Sequence, residues 1–253
     1  MFQIAIPTYR RYDIVRRRTL AFLQLNGIPA SRITLFVASE EEHSIYSLCI
    51  NEPYRPKLVI GHLGIHNQRV FMEAHYPPGT PVLFLDDDIC RIKSPFTSLS
   101  FEEQVGTSFT LAAAEGCRLW GIHPNDHGLS LKDEAIVGLR FCIGSCYGLV
   151  VGQENSYPRQ LTEDYDRTVQ CWRRDGKILR FNGLGPTTYY AATPGGLSAA
   201  RSHERMALEF GEFCSINNDI ATLRERAGKG SDARLKIITE KRIERPFETL
   251  ATE

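Results

Sequence analysis

Short apolar runs alternate with amphipathic stretches through the first third of the chain. Phe2 to Ile6 is a run of mostly large apolar side chains closed by Pro7, and it predicts a strand. The spacing from Asp13 to Leu25 predicts a helix, stopped by Asn26-Gly27 with Pro29 beyond. Ile33 to Ala38 predicts a second strand and Ser39 to Ile50 a second helix, whose first turn carries Glu40, Glu41 and Glu42 where the helix dipole favours acids. A strand at Lys57 to Ile60, a helix at His66 to Ala74 and a strand at Val82 to Leu85 follow, the last entered through Pro77-Pro78-Gly79. Short, continuously apolar strands alternating with helices predict a parallel sheet covered on both faces.

Beyond residue 95 the pattern is mixed. Phe101 to Glu115 predicts a helix, and Cys117 to Ile122 and Phe141 to Val151 predict strands around a loop bearing His123, Asn125, Asp126 and His127. Leu161, Tyr165, Val169 and Trp172 recur on one helical face, a helix that Gly176 ends. Lys177 to Phe181 predicts another strand, followed by a Gly/Pro/Thr-rich loop from Asn182 to Ser198. The last 30 or so residues are charged and contain Gly228-Lys229-Gly230-Ser231; they are expected to be mobile or to fold over the site. No internal repeat or low-complexity linker divides the chain.

Composition narrows the class. The 253 residues suffice for one sizeable core, and no apolar run approaches the roughly 20 residues that span a bilayer. With no secretion-type leader pattern at MFQIAIPTYRR, the expectation is a cytoplasmic protein with no membrane partner. The seven cysteines are scattered and odd in number, which does not make a disulfide framework; Cys142 and Cys146 read as buried thiols. Net charge is zero, yet arginine supplies 23 of the 30 basic residues, and five arginines lie between Arg10 and Arg18. Guanidinium suits phosphate because its planar fork donates two hydrogen bonds to one anion. A solvated, arginine-rich helix face accounts for the cluster equally well.

The chemistry concentrates at Asp86-Asp87-Asp88, directly behind the apolar run Val82 to Leu85. In parallel sheets, ligands bind just beyond the carboxyl ends of the strands, and Pro7-Thr8-Tyr9-Arg10 stands at another such end. A hard cation such as Mg2+ or Mn2+ would relieve the repulsion among the acids, completing its shell on substrate phosphates. The plain alternative is a solvated acidic turn.

Taken in order, IPTYRR (6–11), GIHNQRVFMEA (64–74), FLDDD (84–88), TEDYDRT (162–168) and GGLSAARSHE (195–204) make the chain resemble the GT-A glycosyltransferases over about its first 205 residues. More narrowly, it is similar to the branch related to base-J glucosyltransferase, which includes phage enzymes that glycosylate hydroxymethylated pyrimidines in DNA. The resemblance implies an α/β GT-A domain at 1–205, Rossmann-like with a mixed, mainly parallel sheet, and a charged extension at 206–253 that packs on or lids the site. It implies a nucleotide-sugar donor, first of all a UDP-sugar, and Mn2+ or Mg2+. By position, Asp88 would ligate the metal directly and Asp86 would share the metal and the ribose, with Asp87 on the nucleoside side. Pro7, Thr8 and Tyr9 would form the nucleotide turn, Tyr9 stacking on a base, and Arg10 and Arg69 would pair with phosphate. An ion pair of Arg69 with Glu73, one helical turn away, is the competing reading. Glu163 and Asp164 match the acceptor-side acids, Asp164 as general base and Glu163 as a sugar or acceptor contact. His203 would complete the metal shell, with His123 and His127 as competitors, and Gly195-Gly196 would admit a ligand close to the backbone.

The expected function is sugar transfer to a hydroxyl acceptor, with double-stranded DNA carrying hydroxymethylated pyrimidines as the first candidate and, for a phage protein, the host cytoplasm as its place. A protein, lipid or surface-glycan acceptor keeps the same chemistry. A non-catalytic nucleotide- or DNA-binding module would keep the fold without turnover. A two-metal phosphoryl-transfer enzyme would need a second acidic cluster near the first, for which Glu163-Asp164 is the candidate.

Overall fold

The computed structural model describes residues 1–50, 54–188, 201–226 and 230–248. Nine strands form one sheet in the order β13-β7-β9-β6-β8-β4-β1-β2-β3. They are β1 (Gln3–Pro7), β2 (Ile33–Val37), β3 (Lys57–Ile60), β4 (Pro81–Leu85), β6 (Leu119–Ile122), β7 (Glu134–Leu139), β8 (Cys146–Val150), β9 (Ile178–Phe181) and β13 (Ile238–Glu244). The pairings make seven of them run one way, with β7 and β8 reversed. The sheet is therefore mixed but mainly parallel. Two short ribbons stand apart from it, β5 (Ile89–Lys93) with β10 (Gly185–Thr188), and β11 (Ala221–Arg226) with β12 (Gly230–Leu235).

Side chains alternate between the two sheet faces, as strand geometry requires. Ile4, Ile6, Leu83 and Leu85 join one apolar cluster; Ala5, Val82 and Phe84 join the other. The first cluster is covered by helix α1, by α2 (Glu40–Cys49) and by α4 (Phe101–Ala114). The second is covered by α3 (Ile65–His75) and α5 (Glu163–Asp175). Helix α1 comprises Tyr12–Val15, a π-helical turn at Arg16–Leu20 and Ala21–Leu25. A third cluster, with Phe210, Phe213, Ile220 and Leu235, ties helix α6 (His203–Ile216) and the β11–β12 ribbon to Val169 of α5.

Several elements depart from the pattern-based expectation. The strand expected from Phe141 begins only at Cys146, and 141–145 is a loop that enters the site. Strands β5, β7 and β10 to β13 were not expected. The extension expected at 206–253 holds most of α6, the β11–β12 ribbon and β13, which pairs with β7 as an edge of the main sheet. The boundary after residue 205 falls inside α6. Strand β13 is charged and largely exposed (ITEKRIE), the composition that protects a sheet edge from pairing with another chain and the one that hides a strand from apolar patterning. Gly195-Gly196 lies outside the described residues. No helix among the described residues is long and apolar enough to cross a membrane.

Candidate active site

The carboxyl ends of β1, β2, β3 and β4 open onto one cavity of about 910 Å3. Thr8, Tyr9, Arg69, Asp86, Asp87, Asp88, Glu163 and Asp164 all line it, so two acid groups more than 70 residues apart in the chain share one space.

The turn carrying the three aspartates is held by its backbone. The Asp86 N–H donates to the Ser145 carbonyl at 3.0 Å. The Thr19 hydroxyl donates to the Asp86 carbonyl at 2.7 Å and accepts from the Ile89 N–H at 2.9 Å, bridging the two ends of the turn. Thr19 lies in the π-helical turn of α1 and is fully buried. An inserted residue of this kind re-aims a helix face, a feature that recurs at functional sites.

The three acids face different partners. Asp86 accepts from Arg69 Nη2 at 2.5 Å, and its side chain, which lines the cavity, is still 37% exposed. Asp87 is buried, accepting from the Thr8 hydroxyl at 3.0 Å and from Arg11 Nη1 at 3.1 Å. Asp88 is buried 3.7 Å from the same Arg11 nitrogen. Burial raises all three carboxyls, against the opposing pull of Arg69 on Asp86 and of Arg11 on the other two. Asp86 reaches about 6 and Asp87 about 7, with neighbouring acids adding to the rise. A cation of any kind entering here would be held by charge that the fold has already brought together.

A hydrogen-bonded chain supports the turn at Pro7-Thr8-Tyr9-Arg10. The Arg11 N–H donates to the Tyr46 hydroxyl at 3.0 Å, and Tyr46 lies 2.7 Å from the Thr8 hydroxyl, which in turn donates to Asp87. Glu42, one of the first-turn acids of α2, accepts from the Arg10 N–H at 2.6 Å and the Ala38 N–H at 3.0 Å, and so holds Arg10 in a left-handed conformation at φ 56°. The Arg10 side chain is turned away from the acids and lies over the Tyr9 ring at 5.1 Å. Arg11, rather than Arg10, is the guanidinium that meets the aspartates.

Arg69 is 1% exposed and spans the two acid groups. Nη2 also donates to the Gly144 carbonyl at 2.8 Å, and Nε stands 4.0 Å from Glu163 Oε1. The ion pair with Glu73 does not form; Glu73 is buried and accepts instead from Asn155 at 2.5 Å and Tyr157 at 2.7 Å. Glu163 is paired with Arg167, one turn along α5, at 2.8 Å. Arg167 is fully buried, with its guanidinium 3.6 Å above the Tyr147 ring. Asp164 accepts from the Gly144 N–H at 3.3 Å and from the Tyr165 N–H at 3.0 Å. Burial, then repulsion from Glu163, lifts its carboxyl to about 7 against the pull of Arg167. A Cβ at Gly144 would stand 2.7 Å from Glu163 Oε1, so any larger residue would displace the carboxylate that Arg167 holds.

His203 begins α6 as an exposed residue and is not part of the cavity lining; nor are His123 and His127, although Pro124 between them is. Among the described residues no three His, Cys, Asp or Glu side chains are arranged to hold a metal ion. The donor set that is present, Asp86 and Asp88 beside an open cavity, suits a hard cation that takes most of its shell from a phosphate ligand, not an all-protein cage. Arg167 was within reach of sequence reasoning through its i,i+4 spacing from Glu163. Arg11, Thr19 and Tyr46 carried no such signal, because their roles depend on which way one irregular turn points them.

No protein-family model matches the chain, and no curated protein matches it by sequence. Solved structures do. TarS 1–349 of S. aureus is 15% identical at a TM-score of 0.50, over 84% of this chain; the chain spans only 65% of that structure's length. A mycobacterial protein is 10% identical at 0.52, over 100% of this chain and 89% of that one. A glucosyl-3-phosphoglycerate synthase from Mycobacterium tuberculosis, in complex with phosphoglyceric acid, is 11% identical at 0.50, over 99% and 91%. At such identities the likeness concerns architecture, and the architecture is the GT-A fold: one domain, a mixed and mainly parallel nine-stranded sheet, and helices on both faces.

Proposed function

We propose that the chain is a glycosyltransferase that moves a sugar from a nucleotide-sugar, first of all a UDP-sugar, to a hydroxyl acceptor. The observation that carries this reading is the facing of two acid groups across one cavity, with Arg69 between them. The aspartate turn is the donor side and Glu163-Asp164 the acceptor side. Pro7, Thr8 and Tyr9 receive the nucleoside, with the Tyr9 ring as a stacking surface backed by Arg10. Asp86 and Asp88 would hold Mn2+ or Mg2+, which when bound supplies charge neutralisation for a departing diphosphate. Arg69 adds a fixed positive charge at the same end. Asp164, raised to about 7, takes the acceptor hydroxyl proton near neutral pH. Glu163, fixed by Arg167, contacts the sugar or the acceptor.

Hydroxymethylated pyrimidine in DNA is the finer proposal for the acceptor, and it rests on the sequence resemblance. The arginines at 10–18 add little to it: Arg11 is engaged with the aspartates, and Arg16 and Arg17 pair with Asp13. The cavity, whose lining includes Arg201, Gln160 and Leu161, would equally admit a small anionic hydroxy acid. The test is release of UDP from UDP-sugars with Mn2+ or Mg2+, in three arms: hydroxymethylated DNA, phosphoglyceric acid and no acceptor. Transfer in either acceptor arm, lost in Asp86→Asn and Asp164→Asn, supports the reading and names the acceptor. Absence of UDP binding and of hydrolysis with every donor would leave a fold without this activity.

A further inference from the structure

Arg69 does more than line the donor side. It is almost fully buried, yet only one of its three guanidinium nitrogens is used: Nη2 serves both Asp86 and the Gly144 carbonyl, while Nε and Nη1 are buried without a hydrogen-bond partner. Burying two such donors costs free energy in this state, and a state that satisfied them would recover it. Glu163 Oε1 stands 4.0 Å from Nε, beyond hydrogen-bond length. On the other side, Asp86 is both the most exposed of the three aspartates and the one that Arg69 covers. Arg69 therefore holds one oxygen of the carboxylate that a cation in the cavity would share, with a second acid 4.0 Å from its Nε.

We propose that Arg69 is an exchangeable counter-ion. It neutralises Asp86 in the unloaded site, and a divalent cation entering with the donor displaces it onto Glu163, where Nε completes the hydrogen bond. The proposal rests on the reading of Asp86 and Asp88 as the cation's carboxylates. No bond to carbon forms or breaks in the exchange; one charge replaces another on Asp86, and the guanidinium keeps its proton throughout. Gly144 is the pivot, since its carbonyl holds Nη2 while its N–H holds Asp164. Occupation of the donor side is thereby linked to the acid pair on the acceptor side, which is engaged by Arg69 only once Asp86 has another partner. Neither acid is stranded by loss of Arg69: Asp86 opens to the cavity, and Glu163 keeps Arg167.

A resident cation that competes with the metal has an unusual signature. Arg69→Gln should bind Mn2+ more tightly than the wild type while turning over more slowly. The measurement is Mn2+ affinity at pH 8 without nucleotide, read by the loss of the free-ion electron-paramagnetic-resonance signal. About tenfold tighter binding is expected from removing one positive charge in contact with the ligand. Arg69→Lys retains a charge but cannot serve Asp86 and the Gly144 carbonyl through one planar fork, so it should fall between the two, and it takes over the test should the glutamine variant fail to fold. Equal or weaker Mn2+ binding in the variant that is read overturns the exchange, even if the wild type binds Mn2+ and UDP as proposed. A wild type that takes up no Mn2+ with or without UDP overturns the metal reading and the exchange together.

Discussion

If Asp164 is the base, one carboxyl sets both an activity profile and a stability profile, and a single substitution separates them. Its carboxyl stands at about 7 against a usual 3.8, because burial and Glu163 disfavour the charge. The folded state therefore holds this proton more tightly than the unfolded chain does. The resulting stability is complete below pH 4 and is lost as pH rises through about 7. At about 1.4 kcal/mol per tenfold, a displacement of this size corresponds to roughly 4 kcal/mol. Solvent reaches the carboxyl through the cavity, which reduces the expected effect to about 1–2 kcal/mol. Asp164→Asn cannot titrate, and it loses one acceptor, since Gly144 and Tyr165 both donate to the carboxylate. Because asparagine keeps one form at every pH, the informative quantity is the change with pH in the difference between variant and wild type. Urea unfolding at pH 5 and pH 8 should show the difference moving in favour of the variant by about 1 kcal/mol at the higher pH. In the wild type, kcat should rise tenfold per pH unit below about 7 and level above it, and Asp164→Asn should lose about 100- to 10,000-fold. A stability difference that does not change with pH, or a kcat profile flat from pH 5 to 8, would refute both the raised carboxyl and its role.

Three further substitutions probe the supports of the site. Thr19→Val keeps the branched shape in the π-helical turn but removes the hydroxyl that joins the Asp86 carbonyl to the Ile89 N–H; calorimetry should show about 1–3 kcal/mol of lost stability and weaker UDP binding. Arg167→Met leaves Glu163 buried with only the more distant Arg69, and chemical denaturation should report a loss of about 3–5 kcal/mol. Gly144→Ala places a methyl group 2.7 Å from Glu163 Oε1, so kcat should fall by at least about tenfold while donor affinity, measured by UDP titration, changes little.

The place of the aspartate turn was legible because its parts are local: an apolar run, then acids, at a strand end whose position in a parallel sheet puts them where the cavity opens. β1 to β4 and the helices between them came within a residue or two of their observed bounds for the same reason. Beyond residue 115, β7, β8 and β13 join antiparallel pairs whose partners are distant in the chain, and no local period announces such pairing. Arg10, expected to pair with phosphate, is not in the cavity lining, whereas Arg11 is, and one backbone angle separates the two. With Arg10 at φ 56°, the chain turns so that the next side chain, not this one, enters the cavity. What forces that turn is Glu42, which had been assigned a generic role at the start of a helix. A first-turn acid satisfies the helix dipole from any rotamer, so its presence in sequence says nothing of what else it holds. Glu42→Gln tests which role dominates, because the amide retains one acceptor for two donors, the Arg10 and Ala38 N–H groups. If the dipole alone mattered, the cost would be about 0.5 kcal/mol and UDP affinity would be unchanged. If Glu42 sets the turn, Arg11 leaves Asp87 and Asp88, and UDP titration should show weakened donor binding out of proportion to the change in Tm.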